Sequence, residues 1–252
     1  MSAFGLSSLA FALIFGGALL GMLLRFVLPE PHLNADSKDM VRLATGLIAT
    51  LSALVVGLLI ASAQSSFQTR SNQIRQITAN VILLDNLLAR SGPQAQPLRP
   101  LLRGGVKVLV DRIWSEQNSS ATGAAPFEAS AQSDLFFDKL LELTPQNDGQ
   151  RVVQMRAIQL WIDLAQTRVL FAQTDRAIPM PFMAVLICWL AAIFVSFGLF
   201  SRPNATVVAA LFVCSLSAAS AIFLILELSH PFSGVMEISK VPLSHALAPL
   251  GP

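Results

Sequence analysis

Residues 43–69 read LATGLIATLSALVVGLLIASAQSSFQT, which is the longest uncharged run in the chain. It holds no charged side chain, and it exceeds the roughly 20 apolar residues that cross a bilayer. Three further uncharged runs cover residues 1–24, 177–201 and 203–226. Because lipid offers no hydrogen-bond partner to an unpaired backbone group, all four runs are predicted to be transmembrane helices.

The composition agrees with a membrane protein that also carries an aqueous part. Charged residues make up 13% of the 252 residues, against about 25% in an average soluble domain. The mean hydropathy is +0.62. A net charge of +2 is too small to indicate a nucleic-acid partner. Both cysteines lie in apolar runs, so neither a disulfide framework nor a Cys-rich zinc site is predicted.

The four runs divide the chain into regions. We predict transmembrane helices 1 and 2 in residues 1–67, a helical cytoplasmic domain in 68–177, transmembrane helices 3 and 4 in 178–228, and a cytoplasmic C-terminal tail in 229–252. The segment between the second and third spans holds twelve of the seventeen Lys and Arg residues, an excess typical of cytoplasmic segments. This bias predicts a multi-pass protein of the bacterial inner membrane with both termini in the cytoplasm.

The region after the second span has the periodicity of an amphipathic helix. No Pro or Gly separates it from that span, so one helix is predicted from about Asp39 to Ala89. No segment has the pattern of a strand. The predicted fold class is therefore an all-α membrane protein with a helical cytoplasmic domain between its second and third spans. The apolar positions of the extension recur at steps of three and four residues: Ile74, Ile77, Val81, Leu84 and Leu88.

The sequence lacks the motifs that carry enzyme chemistry. It has no glycine-rich phosphate loop and no GxSxG, H-E-x-x-H or CxxC. Its three histidines, His32, His230 and His245, are far apart in sequence. The uncharged runs also lack the ionisable side chains that proton-coupled transporters keep at mid-membrane. We therefore predict no enzyme activity, no catalytic residue, no cofactor and no metal site.

Small residues recur on the second span at the spacing that lets helices approach closely. One hypothesis makes this span the packed centre of a single-chain bundle. The other makes it a pore helix repeated around an oligomer axis, with its small face against a neighbour. The small face carries Ala49, Ala53, Gly57 and Ala61, and the adjacent face, which would line the constriction, carries Thr50, Leu54 and Leu58. The first span has a similar GxxxG pattern at Gly17 and Gly21.

Two segments resemble the bestrophins. The first is the apolar helix that passes from Gly57 through a Ser-rich exit to Phe67, followed by Arg70 and Arg75. The second is the turn that follows the fourth span, which reads HPFSG. Its residues are His230, Pro231, Phe232, Ser233 and Gly234, and a Val-Pro-Leu stretch follows from Val241. The chain is similar in particular to the large bacterial family described as bestrophin-like, whose members have four spans in a two-plus-two arrangement.

The resemblance implies a homo-oligomeric ion channel, a pentamer, that selects anions as most bestrophins do. Its neck would fall on Thr50, Leu54 and Leu58. Its partners would be membrane lipid, further copies of the chain and a permeant inorganic ion. A ring of Leu can close a pore by dewetting, and a ring of Thr can contact a partly dehydrated ion.

The chain departs from the bestrophins in two places. Bestrophin necks are richer in Ile and Phe. Ser233 interrupts the Pro-Phe-Gly turn, and only Glu237 follows closely where animal bestrophins have an acidic run for calcium. Because calcium takes six to eight oxygen ligands, we predict no calcium gating. The alternative hypothesis is a non-conducting membrane scaffold or sensor whose cytoplasmic helices bind a partner.

Overall fold

The computed structural model describes residues 3–27, 35–115, 131–173 and 180–247. These residues are helical apart from short connections, which confirms the predicted all-α class. His32 and the predicted boundary at residue 177 lie outside them. In chain order the helices are α1 Ala3–Val27, α2 Ala35–Arg90, α3 Leu98–Ser115, α4 Ala131–Leu141, α5 Asp148–Gln173, α6 Met180–Phe200, α7 Ala205–Leu228 and α8 Val241–Leu247. Four of them, α1, α2, α6 and α7, are long and apolar enough to cross a membrane.

The chain forms two compact units, and α2 contributes to both. The membrane unit contains the described residues 3–27, 35–67 and 180–230. The extramembrane unit contains 68–115, 131–173 and 231–247. The segment predicted as a tail therefore belongs to the second unit, to whose core it supplies Phe232 and Leu243.

Glycines set the packing of the membrane unit, where α1 lies against α6 and α7. A Cβ added to Gly17 would lie 3.3 Å from the carbonyl oxygen of Ala191. A Cβ on Gly21 would collide with the carbonyl oxygen of Val195. On the facing helix α6, a Cβ on Gly198 would collide with a backbone carbonyl oxygen of α1, that of the residue directly after Gly17. The two backbones are therefore in direct contact, as the GxxxG pattern predicts.

The apolar stripe of α2 forms the centre of the extramembrane unit, as its periodicity predicts. All five stripe residues are buried together with side chains from α3, α4 and α5. Next to the stripe, Asp85 accepts two hydrogen bonds from Arg99 of α3, at 2.7 and 3.0 Å. The hydrogen bond to Asp85 raises the pKa of the Arg99 guanidinium, against the desolvation that lowers it. This bidentate ion pair fixes the start of α3 against α2.

Replacing Gly21 by Ala should destabilise the membrane unit, because the added methyl would force the α1 and α6 backbones apart. Overpacking of this kind costs about 1–3 kcal/mol. Gly16→Ala is the matched control, since a Cβ at Gly16 meets no described atom within 4 Å. We expect a lower unfolding temperature in detergent for Gly21→Ala and an unchanged one for Gly16→Ala. Equal unfolding temperatures for the two variants would contradict the close contact.

Candidate pore helix

Of the four spans, α2 is the one that its own chain covers least. Only 11% of its most apolar stretch is buried within the chain, against 28% for each of α1, α6 and α7. Most of its surface in the span is therefore available to lipid, to further copies of the chain or to an aqueous path. A span that were the packed centre of a single-chain bundle would have the highest coverage of the four.

One side of α2 packs against its own unit. Thr45, Ser52 and Ala63 are buried on this side, at 7%, 2% and 3% exposure. Ile48 and Val56 are partly buried and pack against the core formed by α1, α6 and α7. These positions recur with helical periodicity, so α2 has one inward face along the whole span.

The predicted neck residues lie on the opposite side. Leu54 and Leu58 are 61% and 63% exposed, and Thr50 is also exposed. The Thr50 hydroxyl donates a hydrogen bond to the Gly46 carbonyl oxygen at 2.9 Å. The hydroxyl proton is thus used in a hydrogen bond to the backbone, and the lone pairs of the hydroxyl oxygen remain available to an ion. Leu47, two turns before Leu54 and 65% exposed, extends this outward face and was not among the predicted residues.

The predicted small face divides between the two sides of the helix. Ala49 is partly buried and packs against the membrane unit's own core. Ala53, Gly57 and Ala61 are exposed, and a Cβ on Gly57 would meet no described atom within 4 Å. Among the described residues no helix of the same chain covers Gly57, which leaves this glycine open to a second molecule.

The outward face changes from apolar to polar where the span ends, without any charge. Ser62, Gln64 and Ser65 are exposed there. One turn further, the Gln68 amide donates to the Asn72 side-chain oxygen at 3.1 Å. Hydroxyl and amide groups offer both donors and acceptors, so they can hydrate an ion of either sign.

The first basic residue after the span, Arg70, points away from this face. It is 3% exposed, and its guanidinium lies over the Phe171 ring, 5.7 Å from the ring centroid. This cation–π contact holds the charge within the extramembrane unit. Arg75, by contrast, is exposed. The first exposed charge on α2 beyond the predicted neck is therefore Arg75.

The turn after α7 is held by its own backbone. His230 makes a hydrogen bond through Nδ1 to the Leu226 carbonyl oxygen at 2.9 Å. The Ile238 amide donates to the Pro231 carbonyl oxygen at 2.6 Å, which closes the turn. Gly234 has a φ of 98°, in the region that side chains disfavour, so glycine suits this position.

Phe232 anchors this turn in the core of the extramembrane unit. It is 6% exposed, and its ring centroid lies 5.3 Å from that of Trp114 and 5.6 Å from that of Phe171. The Trp114 indole also donates to the Ile238 carbonyl oxygen at 3.3 Å. Within the described residues, no three His, Cys, Asp or Glu side chains come together as a metal site. The geometry of the turn gives Phe232 a structural role.

A family model described as the Bestrophin-like domain matches residues 12–243. Among solved structures, a single-substitution variant of a bacterial bestrophin homologue from Klebsiella pneumoniae is 15% identical, with a TM-score of 0.68 over 99% of this chain and 96% of that chain. A second such variant is 14% identical, with a TM-score of 0.67 over 96% and 95%. No curated protein matches the sequence. At this identity the structural likeness shows the fold.

Replacing Phe232 by Ala should destabilise the extramembrane unit by about 3–5 kcal/mol, because it opens a cavity beside Trp114 and Phe171. Val235→Ala, in the same turn, is the matched control, since Val235 is 85% exposed. Thermal unfolding and limited proteolysis would both report the difference. Equal unfolding temperatures and equal rates of proteolysis for the two variants would show that the turn contributes little to the core.

Proposed function

The chain belongs to the bestrophin-like family, and on that basis we propose that it is an ion channel, assembled as a homopentamer around the axis that α2 lines. The observation that carries this proposal is the outward face of α2. Thr50, Leu54 and Leu58 share that face, on the span that its own chain covers least. An exposed apolar face of this kind suits a narrow, dewetting neck.

The proposed pore is continuous with the rest of α2. The helix has 56 residues and is roughly 84 Å long at 1.5 Å per residue. It passes without interruption from the apolar span to the polar exit at Ser62 and on into the extramembrane unit. An ion leaving the neck would therefore meet hydroxyl and amide groups along the same helix. The small face at Gly57 would pack against the neighbouring copy of α2.

Two observations about the sign of the permeant ion point in opposite directions. The family resemblance favours anions. The Thr50 hydroxyl favours cations, because its proton is committed to the Gly46 carbonyl and its oxygen can act as a ligand. Residues 43–69 carry no charged side chain, so selectivity in the neck depends on the cost of dehydration. We propose inorganic ions as the substrate class, with the extramembrane unit and both termini on the cytoplasmic side of a bacterial inner membrane.

One observation favours the second candidate function, a non-conducting scaffold or sensor. The extramembrane unit has an apolar groove of about 580 Å³ between α4 and α5. Trp161, Val169 and Leu170 are among the residues that line it. A partner helix could bind in such a groove. This function requires no ion flux and no oligomer axis at α2.

The proposed pentamer predicts the mass of the assembly. The detergent-solubilised protein should have the mass of five chains of 27.0 kDa after correction for bound detergent. Gly57→Leu should lower this mass, because the new side chain fits within the single chain but would separate neighbouring copies of α2. Gly16→Leu is the matched control, since Gly16 also faces open space in the chain. A monomeric wild type would overturn the proposed pore, and a pentameric Gly57→Leu variant would overturn only the packing face.

The proposed neck predicts how conductance responds to shorter side chains. The double variant Leu54→Ala, Leu58→Ala should show a several-fold higher single-channel conductance in planar bilayers, because shorter side chains widen and wet the constriction. The control pair, Leu13→Ala and Leu20→Ala on α1, is similarly exposed at 48% and 52%. The same recordings under a salt gradient give the sign of the permeant ion from the reversal potential. Unchanged conductance in the α2 variant would exclude these residues as the neck.

A further inference from the structure

The membrane unit contains a crevice that the proposed pore does not use. It lies between the beginning of α2 and the end of α6 and has a volume of about 280 Å³. Thr45, which lines it, is buried on the inward side of α2. The crevice therefore lies on the side of α2 opposite the predicted neck, and its interpretation is independent of whether α2 lines a pore.

The crevice is lined by both polar and apolar residues. The residues with polar side chains that line it are Arg42, Thr45, Ser196 and Ser201. The rings of Phe197 and Phe200 supply much of its apolar surface. A crevice with one cationic edge and aromatic walls fits an amphipathic anion.

The position of the polar groups in the sequence places them at the edge of the bilayer. Arg42 is the last charged residue before the uncharged run of α2 begins at residue 43. Ser201 is the last residue of the uncharged run of α6, next to Arg202. Lipid phosphates lie at this depth, and basic residues at the ends of spans meet them there.

We propose that this crevice is a binding site for one anionic phospholipid. The phosphate would accept hydrogen bonds from the Arg42 guanidinium and the Ser201 hydroxyl. The upper part of one acyl chain would lie along Phe197 and Phe200. Arg is suited to this role because its planar guanidinium can donate two parallel hydrogen bonds to one phosphate. The volume admits a headgroup and the first carbons of a chain, while the remainder of the lipid stays in the bilayer.

Asp39 is the internal competitor for this guanidinium. Its carboxylate lies 3.7 Å from Arg42 Nη1, which is longer than a hydrogen bond. The two side chains are 74% and 70% exposed, so solvent screens their attraction. A phosphate could therefore displace this contact. Removing the Asp39 charge should strengthen lipid binding.

Native mass spectrometry of the purified full-length protein tests this site by titration with phosphatidylglycerol and with phosphatidylcholine of the same acyl chains. We expect tighter binding of phosphatidylglycerol, and a loss of about fivefold or more in Arg42→Gln. Asp39→Asn should bind more tightly than wild type, and Ser201→Ala more weakly. Arg202→Gln is the matched control, because Arg202 lies at the same end of the spans but does not line the crevice.

Three results would overturn the proposal. Equal losses in Arg42→Gln and Arg202→Gln would show a general attraction of the membrane surface. Equal binding of the two lipids, unchanged in Arg42→Gln, would show that the crevice does not recognise charge. Displacement of bound phosphatidylglycerol by inorganic phosphate would assign the crevice to a free anion. Arg42→Gln and Arg42→Lys should both keep the wild-type unfolding temperature, and only Arg42→Lys should keep lipid binding. This pair separates a loss of binding from a loss of folding.

Discussion

In the span, α2 has one side that its own chain buries and another that it leaves open. The buried side in the span faces α1, α6 and α7, and in the extramembrane unit the apolar stripe of α2 faces α3, α4 and α5. A single helix thus supplies one wall of each core. Because helical side chains keep a fixed angular spacing, the choice of inward residues in the span also determines which residues point outward. The outward set includes Thr50, Leu54 and Leu58, so the proposed pore depends on how α2 packs against its own unit.

Features that depend on local pattern were predictable from the sequence. Uncharged runs long enough to cross a bilayer indicated α1, α2, α6 and α7, and the three- and four-residue steps after the second span indicated the buried face of its extension. The GxxxG pattern of α1 indicated the close contact that Gly17 and Gly21 make with α6. In each case a single helix carries the whole signal, since burial or small size repeats at the helical period.

Features that depend on distant residues were not predictable in the same way. The Asp85–Arg99 pair joins residues 14 apart, and the hydrogen bond from Trp114 to the turn after α7 spans 124 residues. No periodicity relates such partners. Ala49 shows a related limit, because four-residue spacing grouped it with Gly57 while the helix turns it towards the membrane unit's own core. The crevice at Arg42 was also missed, since it requires the end of α6 to lie beside the beginning of α2.

The turn at Phe232 has a consequence for biosynthesis. The Phe232 ring and the Leu243 side chain complete the core of the extramembrane unit, yet both residues are made after α6 and α7. Chains are synthesised from the N-terminus, and regions fold as their residues become available. Helices α3 to α5 therefore leave the ribosome with gaps beside Trp114 and Phe171 that only the last part of the chain can fill. The extramembrane unit can reach its final packing only after the residues of α7 have been made. Its core is therefore completed near the end of synthesis.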